Sequence, residues 1–254
     1  MFEDLKGKAV LITGASTGIG AAAARAFAAC GSKLVIHCNE SKAEADDVAR
    51  EAVAAGAEAV VVRGDLMQAS AVDSVVGAAR EAFGRIDVLI NNAGGMLGRI
   101  KIEDYTEEHI LRVIALNVTQ VALFMKTVVP IMRAQKSGNI INVTSIAARN
   151  GGGGGAVLYA AAKGFISTAT KGWAKEVIGD GIRVNAVSPG VIVTPFHERY
   201  STAEQLAAMQ ATVPMNRLGT PHECAGTFLY LASDTTSSYV TGQVLEVNGG
   251  QYMP

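Results

Sequence analysis

The sequence of 254 residues contains few cysteines, a single tryptophan and no long apolar run. Its three cysteines, Cys30, Cys38 and Cys224, include no C-x-x-C pair, which argues against a disulfide framework or a zinc cluster, so we expect no metal site. Free thiols are typical of a reducing cytoplasm, which is the expected location. No stretch reaches the roughly 18 apolar residues of a membrane helix, and the N-terminus lacks the apolar segment of a secretory signal. We therefore expect no membrane association.

Neither sign of charge dominates the chain. Lys and Arg total 22 and Asp and Glu total 23, for a net charge of −1, and no Lys/Arg cluster occurs. This balance argues against binding to nucleic acid. Hydrophobic residues make up 49% of the chain, enough for one sizeable core. The length predicts a single domain over residues 1–254.

Short apolar runs alternate with helical patterns along the chain. The runs predict strands at 10–12, 33–38, 59–62, 86–90, 139–144, 182–187 and 243–247. Helices are predicted at 21–29, 41–55, 68–83, 107–135, 158–178, 203–212 and from Pro221 onward. Ser41 and Glu44 have the spacing of a capping box. The alternation predicts an α/β fold: a Rossmann-type, doubly wound three-layer sandwich with a parallel sheet of about seven strands.

Three glycines follow the first strand and open the first helix. Gly14, Gly18 and Gly20 have the spacing G-x-x-x-G-x-G. The N-terminus of a helix presents free backbone N–H groups and the positive end of the dipole, which favours a phosphate. Glycine allows a pyrophosphate to approach the backbone because it has no Cβ. The alternative is a tight strand-to-helix turn that binds nothing.

Tyr159 and Lys163 are four residues apart on a predicted helix and therefore share one face. A tyrosine has an ordinary pKa of about 10 and is a poor acid or base near neutrality. A Lys⁺ about 5 Å away contributes roughly 3 kcal/mol at an effective dielectric of about 20. With a cationic nicotinamide nearby, the pair is expected to bring the pKa of Tyr159 towards about 7. The alternative is an ordinary surface pair.

Further polar residues follow the carboxyl ends of the later predicted strands. Open α/β sheets bind ligands at that edge, so the matches reinforce one another. They are Asn91-Asn-Ala-Gly94 after the fourth strand, Ser145 after the fifth, and Pro189, Gly190 and Thr194 after the sixth, with Asn117 in the long helix between.

Taken together, these motifs resemble the short-chain dehydrogenase/reductase family, in its compact single-domain branch, over nearly the whole chain. The resemblance implies reversible hydride transfer between a nicotinamide cofactor and a small-molecule carbonyl/secondary-alcohol pair. It implies Tyr159 as general acid and base, with Lys163 lowering its pKa and holding the nicotinamide ribose. Ser145 would hydrogen-bond the substrate oxygen, and Asn117 would hold a water that links Lys163 to solvent.

The resemblance also implies a set of cofactor contacts. Asp65 and Leu66 would border the adenine, and Thr194, with the backbone near Ile192, would fix the carboxamide. The complete set is Gly14, Ser16, Thr17, Gly18, Ile19, Gly20, Cys38, Asn39, Asp65, Leu66, Asn91, Ala93, Gly94, Tyr159, Lys163, Pro189, Gly190, Ile192 and Thr194.

The choice between the two nicotinamide cofactors depends on the end of the second strand. Family members that prefer NAD typically have an Asp there for the ribose 2′-hydroxyl. Here Cys38 occupies that position and Asn39 follows. Lys42 is a candidate to reach a 2′-phosphate, although Glu40 opposes it. We therefore expect NADP(H), with NAD(H) as the alternative.

Several alternatives stay open at the level of sequence. The substrate class is either a 3-oxoacyl thioester or a sugar or polyol, and a non-catalytic dinucleotide-sensing protein is the alternative outside enzymes. Arg149 and Arg199 are candidates to favour an anionic substrate. The five glycines 151–155 form either a flexible connector or a mobile lip over the site. The resemblance implies a homotetramer, because the two long helices commonly pair between subunits.

Overall fold

The computed structural model describes residues 2–254, except for the side chain of Glu198. Its centre is a parallel sheet of seven strands in the order β3-β2-β1-β4-β5-β6-β7. The winding therefore reverses between β1 and β4, which leaves a crevice beyond the carboxyl ends of these strands. The strands are β1 (Ala9–Ile12), β2 (Lys33–Cys38), β3 (Ala59–Arg63), β4 (Val88–Asn91), β5 (Gly138–Val143), β6 (Ile182–Pro189) and β7 (Val244–Val247).

Helices cover both faces of this sheet. They are α1 (Gly18–Ala29), α2 (Lys42–Ala54), α3 (Ala69–Phe83), α4 (Glu107–Ile114), α5 (Gln120–Gln135), α6 (Ala147–Asn150), α7 (Val157–Val177), α8 (Pro195–Tyr200), α9 (Ala203–Ala211), α10 (Pro221–Ala232) and α11 (Asp234–Ser237). In β1, Val10 and Ile12 join the core cluster that includes α1 and α10, whereas Leu11 joins the cluster that includes α3 and α5. Because both faces are buried, β1 is a continuous apolar run. The predicted fold class is confirmed.

The prediction of one unbroken α-helix over 107–135 is wrong at its centre. A π-helical turn, Ala115–Thr119, separates α4 from α5. Nδ2 of Asn117 donates to the carbonyl oxygens of Val113 (2.9 Å) and Gly95 (2.8 Å). This side chain competes with the backbone for the carbonyl one turn earlier, which accounts for the local widening of the helix.

Other local differences concern caps and short helices. Ser41 precedes α2 as predicted, but its side chain makes no cap hydrogen bond, so the predicted capping box with Glu44 is absent. The backbone ψ of Ser41 is 60°, outside the extended region in which N-cap residues usually lie. The short helices α6 and α8 were not predicted, since four and six residues give too little periodicity. Both border the candidate site.

The helical stretch Glu107–Gln135 is long and apolar enough to cross a membrane by length and composition alone. In the structure, however, Phe124, Val128 and Met132 of α5 are fully buried in the core beside the sheet. The core helix of a globular protein meets the same length and hydropathy criterion. A buried apolar face of this kind is typical of a core helix in a globular protein.

Candidate active site

The carboxyl ends of the strands open into one cavity of about 1030 Å³. This is at the upper end of the usual size of ligand pockets. It extends from the glycine turn after β1, past the ends of β2 and β3, to the start of α7. The predicted site residues that line it are Gly14, Ser16, Thr17, Gly18, Ile19, Asn39, Asp65, Leu66, Ala93, Gly94, Ser145, Tyr159, Lys163, Pro189, Gly190, Ile192 and Thr194.

Three residues from the predicted cofactor set lie outside this lining, and two of them, Gly20 and Cys38, have packing roles instead. A Cβ on Gly20 would collide with the carbonyl oxygen of Gly14 and lie 2.6 Å from Nδ2 of Asn92. Glycine is therefore needed here for close approach of α1 to the turn. Cys38 is fully buried in the core, and the residues after it line the cavity. Cys38 therefore does not present its side chain to a ligand in the cavity.

Asn91 and Asn117 also lie outside the lining. Nδ2 of Asn91 donates to Oδ1 of Asn142 on β5, at 2.9 Å, and the side chain is buried. The carboxamide of Asn117 donates to and accepts from the backbone of Gly95, at 2.8 and 3.1 Å. Asn117 thus braces the backbone beside the cavity, and Asn91 connects β4 to β5 through Asn142.

The glycine turn has a backbone shape that a phosphate site requires. Gly14 and Gly18 have φ values of +62° and +56°, in the left-handed region that favours glycine. Ser16, Thr17 and Ile19 line the cavity around the first turn of α1. Amides at a helix N-terminus with no Cβ in the way fit a pyrophosphate group. The structure therefore fits the dinucleotide that the sequence implies.

Two residues that hold this turn were not in the predicted site set. Nδ2 of Asn92 donates to the carbonyl oxygens of Thr13 (2.9 Å) and Gly14 (2.8 Å). The amide of Gly14 donates to Nδ1 of His37, at 3.1 Å, and Nε2 of His37 lies 2.9 Å from the carbonyl oxygen of Gly64. His37 is therefore the neutral tautomer with its proton on Nε2. Burial lowers the pKa of His37, which favours this form.

At the other end of the cavity, Ser145, Tyr159 and Lys163 lie together. Nζ of Lys163 lies 5.8 Å from the centroid of the Tyr159 ring and donates to the carbonyl oxygen of Val143 at 2.8 Å. The lysine is buried, whereas the tyrosine is half-buried and faces the cavity. The hydroxyl of Ser145 accepts from the amide of Ala147, at 3.1 Å, which fixes its position.

The sequence argument predicted a lowered pKa for Tyr159 with a cationic nicotinamide beside it, and the protein groups by themselves do not lower that pKa. Burial raises the pKa of Tyr159 to about 12, and the hydrogen bond with Ser145 works against that rise. Burial also lowers the pKa of Lys163 to about 8, so the charge that was expected to stabilise the phenolate is itself disfavoured. The protein alone therefore keeps Tyr159 as a neutral phenol, the form that donates a proton.

Two loops border the substrate end of the cavity, and Arg99 joins them. Its Nε donates to the carbonyl oxygen of Tyr200, at 2.7 Å, and its Nη1 donates to that of Gly154, at 2.9 Å. Phe196 of α8 packs against Tyr159, with ring centroids 5.6 Å apart. The glycine loop 151–155 thus lies at the cavity and is fastened to the residues around α8.

The candidate residues for an anionic substrate separate in the structure. Arg149 pairs with Glu246, with Nε and Oε1 3.0 Å apart, and does not line the cavity. Arg99, His197 and Arg199 do line its substrate end. Glu198, between His197 and Arg199 and a further candidate from sequence, has a side chain outside the described part of the structure.

A glycine turn with a shape that fits a phosphate, a switch in strand order and a Ser-Tyr-Lys group in one cavity are features of an NAD(P)-dependent oxidoreductase of carbonyls and alcohols. Comparisons with known proteins agree. The family model described as Enoyl-(Acyl carrier protein) reductase matches residues 14–251. A 3-oxoacyl-[acyl-carrier-protein] reductase of Synechocystis is 43% identical over 98% of both chains. The chain belongs to the short-chain dehydrogenase/reductase family.

Solved structures support the same assignment. The NADH-dependent reductase A1-R′, responsible for alginate metabolism and complexed with NAD, is 36% identical over 100% of both chains, with a TM-score of 0.89. A 3-ketoacyl-(acyl-carrier-protein) reductase from Brucella melitensis, complexed with NADH, is 33% identical. That match covers 98% of this chain and 100% of the other, also with a TM-score of 0.89. The predicted reaction class and use of a nicotinamide cofactor are confirmed.

Proposed function

We propose that Tyr159 is the general acid and base of a reversible carbonyl reduction, with Ser145 and Lys163 as its partners. The observation that carries this proposal is that the three side chains line the same cavity as the glycine turn. A nicotinamide cofactor held by the residues that line this cavity would supply or accept the hydride. The neutral phenol of Tyr159 donates its proton to the developing alkoxide, and the hydroxyl of Ser145 hydrogen-bonds the same oxygen.

Lys163 acts on both the proton and the cofactor in this proposal. Its ammonium is close to Tyr159 and to Gly94, where an added Cβ would lie 3.1 Å from Nζ. It is therefore placed to bind the ribose beside the nicotinamide and to favour ionisation of Tyr159 once that site is filled. The carboxamide of Asn117 is hydrogen-bonded to the backbone of Gly95. A proton path past Asn117 would therefore use the backbone of Asn117.

For the substrate, we propose a 3-oxoacyl thioester. The support is the similarity to the reductases of Synechocystis and Brucella melitensis, which are named for that activity. An oxidised sugar acid is the second candidate. It is favoured by the similarity to reductase A1-R′ of alginate metabolism and by the cations Arg99 and Arg199 at the substrate end. Either class places a carbonyl beside Tyr159.

For assembly, we propose a cytoplasmic homotetramer. Val157 and Phe165 of α7 and Leu111 of α4 are large apolar side chains exposed to solvent. Such residues on the long helices would be covered by pairing between subunits. The three free cysteines are compatible with a reducing compartment.

A substrate panel tests these proposals. Oxidation of NADH and of NADPH would be followed with acetoacetyl thioesters, keto-sugars, keto-sugar acids and simple ketones. We expect the acetoacetyl thioesters to have the highest kcat/KM, and a higher value for keto-sugar acids would favour the second candidate. A protein that binds cofactor tightly but reduces no member of the panel would instead support the dinucleotide-sensing alternative. Sedimentation equilibrium on the same preparation distinguishes a tetramer from a dimer.

A further inference from the structure

The end of the cavity beyond β2 and β3 carries negative charge. Five residues there line the space next to the glycine turn: Asn39, Glu40, Ser41, Glu44 and Asp65. In a doubly wound fold this is where the adenosine ribose of a dinucleotide lies. Three of the five residues are carboxylates, and none of the five is a lysine or arginine.

Two cations from this part of the chain, Lys42 and Arg63, bind partners within the protein. Nζ of Lys42 pairs with Oδ2 of Asp46, one turn later on α2, at 2.6 Å. Nε of Arg63 donates to the carbonyl oxygen of Asn39, at 2.9 Å, and the Arg63 side chain is not part of the cavity lining. Lys42, the cation that sequence analysis offered for a 2′-phosphate, is therefore paired with a carboxylate of its own helix.

The glycine turn supplies no positive side chain either. Ser16, Thr17 and Ile19 line the cavity there and are all neutral. A ribose 2′-hydroxyl can donate a hydrogen bond to a carboxylate, whereas a 2′-phosphate carries close to two negative charges at neutral pH and can only accept. Glu40 and Glu44 form no salt bridge within the described residues, so their charges face that phosphate uncompensated.

We propose that this enzyme selects NAD(H) over NADP(H) and that Glu40 and Glu44 carry the selection by repelling the 2′-phosphate. This inference rests on the proposed dinucleotide site and reverses the NADP(H) preference drawn from Cys38. The sequence argument relied on the absence of a carboxylate at Cys38 and set Lys42 against Glu40, but Cys38 is buried in the core. The selecting carboxylates come from the segment that follows and from the first turn of α2.

Direct binding measurements test the proposal without turnover. The intact protein would be titrated calorimetrically with NADH and with NADPH at low and at high ionic strength. We expect NADH to bind about tenfold or more tightly at low salt, because two exposed carboxylates act on a phosphate across water. Added salt should narrow the ratio of the two dissociation constants, since it screens the repulsion.

Variants assign the effect to particular residues. The double substitution Glu40→Gln with Glu44→Gln should tighten NADPH binding about tenfold and leave NADH binding nearly unchanged. Glu81→Gln, at an exposed position on α3 outside the cavity, is the matched control and should change neither constant. Thermal melts verify folding, and the two single substitutions replace the double one if it unfolds.

The outcomes separate this inference from the function on which it rests. Tighter binding of NADPH than NADH by the wild type would overturn the selection, as would an unchanged ratio in folded glutamate variants. If Arg63→Ala weakened NADPH binding specifically, Arg63 would be a phosphate ligand and the proposal would be wrong. Binding of neither nucleotide would instead reject the dinucleotide site itself.

Discussion

The backbone amide of Gly14 donates a hydrogen bond to Nδ1 of His37, 3.1 Å away, and so fastens the glycine turn to the end of β2. The other ring nitrogen of His37 donates to the carbonyl oxygen of Gly64, directly before Asp65. One buried imidazole near the end of β2 thus connects the segments that follow β1 and β3. Both segments border the proposed cofactor site.

Replacing this imidazole should weaken cofactor binding more than it changes turnover. We expect His37→Leu to raise the dissociation constant of the reduced cofactor about tenfold, because the amide of Gly14 loses its buried acceptor. His37→Gln, which keeps a polar side chain, should recover part of the affinity. His222→Gln, at an exposed position, is the control. Equal affinity in His37→Leu and wild type would show that the turn does not need this bond.

The same histidine predicts how stability depends on pH. Burial lowers the pKa of His37 and of His197, so the unfolded chain binds protons at a higher pH than the folded one. The stability that depends on their neutral form is complete above the ordinary histidine pKa of about 6.5 and is lost as the pH falls below that value. Urea unfolding would be measured between pH 5 and pH 8 for wild type and His37→Gln. The free energy of unfolding should fall less steeply with decreasing pH in the variant. Parallel curves would contradict this account.

Gly20 should resist even the smallest substitution. A Cβ there would collide with the carbonyl oxygen of Gly14 and with Nδ2 of Asn92. Overpacking of this kind costs about 1–3 kcal/mol, so Gly20→Ala should lower the free energy of unfolding and weaken cofactor binding. Gly77→Ala on α3 is the matched control, since nothing lies within 4 Å of its Cβ. The control should raise stability by about 0.5–1 kcal/mol. A stable Gly20→Ala protein with normal affinity would refute the close-approach argument.

The buried charge of Lys163 should cost stability while it serves the reaction. Burial lowers the pKa of Lys163 from 10.5 to about 8, so below pH 8 the folded protein holds an ammonium in a poorly solvated place. Lys163→Met should therefore abolish most activity yet raise the free energy of unfolding at pH 7, by up to about 3 kcal/mol. As the pH rises from about 8 to 10.5, Lys163 loses its proton in the folded wild type first, so the difference in stability between wild type and variant should disappear.

Urea titrations at pH 7 and pH 10 measure that difference. The exposed Lys171→Met on the same helix serves as control and should leave stability nearly unchanged. A Lys163→Met protein that is less stable than wild type at pH 7 would show that the bond to the Val143 carbonyl outweighs the cost of burial.

Arg99 should control access to the substrate end without affecting the cofactor end. It joins the carbonyl oxygens of Tyr200 and Gly154, so Arg99→Met should loosen both loops. We expect KM for the carbonyl substrate to rise about tenfold, with the dissociation constant of the cofactor unchanged. Hydrogen exchange over residues 151–155 should speed up. Arg80→Met, exposed on α3, is the control. Unchanged exchange and KM would show that the loops hold their places alone.

The sequence predicted the parts of this site that depend on strand order. Ser145, Tyr159 and Lys163 could be assigned to one edge because parallel strands end at the same side of a sheet, and the cavity contains all three. Side-chain direction was harder to predict. In the Asn91-Asn92 pair, the first asparagine is the last residue of β4 and points into the core, while the second holds the glycine turn. Adjacent residues point to opposite sides, so an error of one residue exchanges their roles.

Charge states were the least predictable feature. The expected fall in the pKa of Tyr159 assumed a fully charged Lys163, but burial disfavours charge on both groups. Burial of this kind depends on tertiary packing and cannot be calculated from a spacing of four residues. The pairing of Lys42 with Asp46 was open to prediction, since four-residue spacing on a helix favours that bridge.

The central claim is that Tyr159 transfers the proton in a carbonyl reduction. Its direct test compares turnover of wild type and Tyr159→Phe with the best substrate from the panel, following loss of the absorbance of the reduced cofactor. The substitution removes only the hydroxyl and keeps a ring to contact Phe196. We predict a fall in kcat of about 100-fold or more, with cofactor affinity nearly unchanged. A Tyr159→Phe enzyme that reduces the substrate at the wild-type rate would contradict the account.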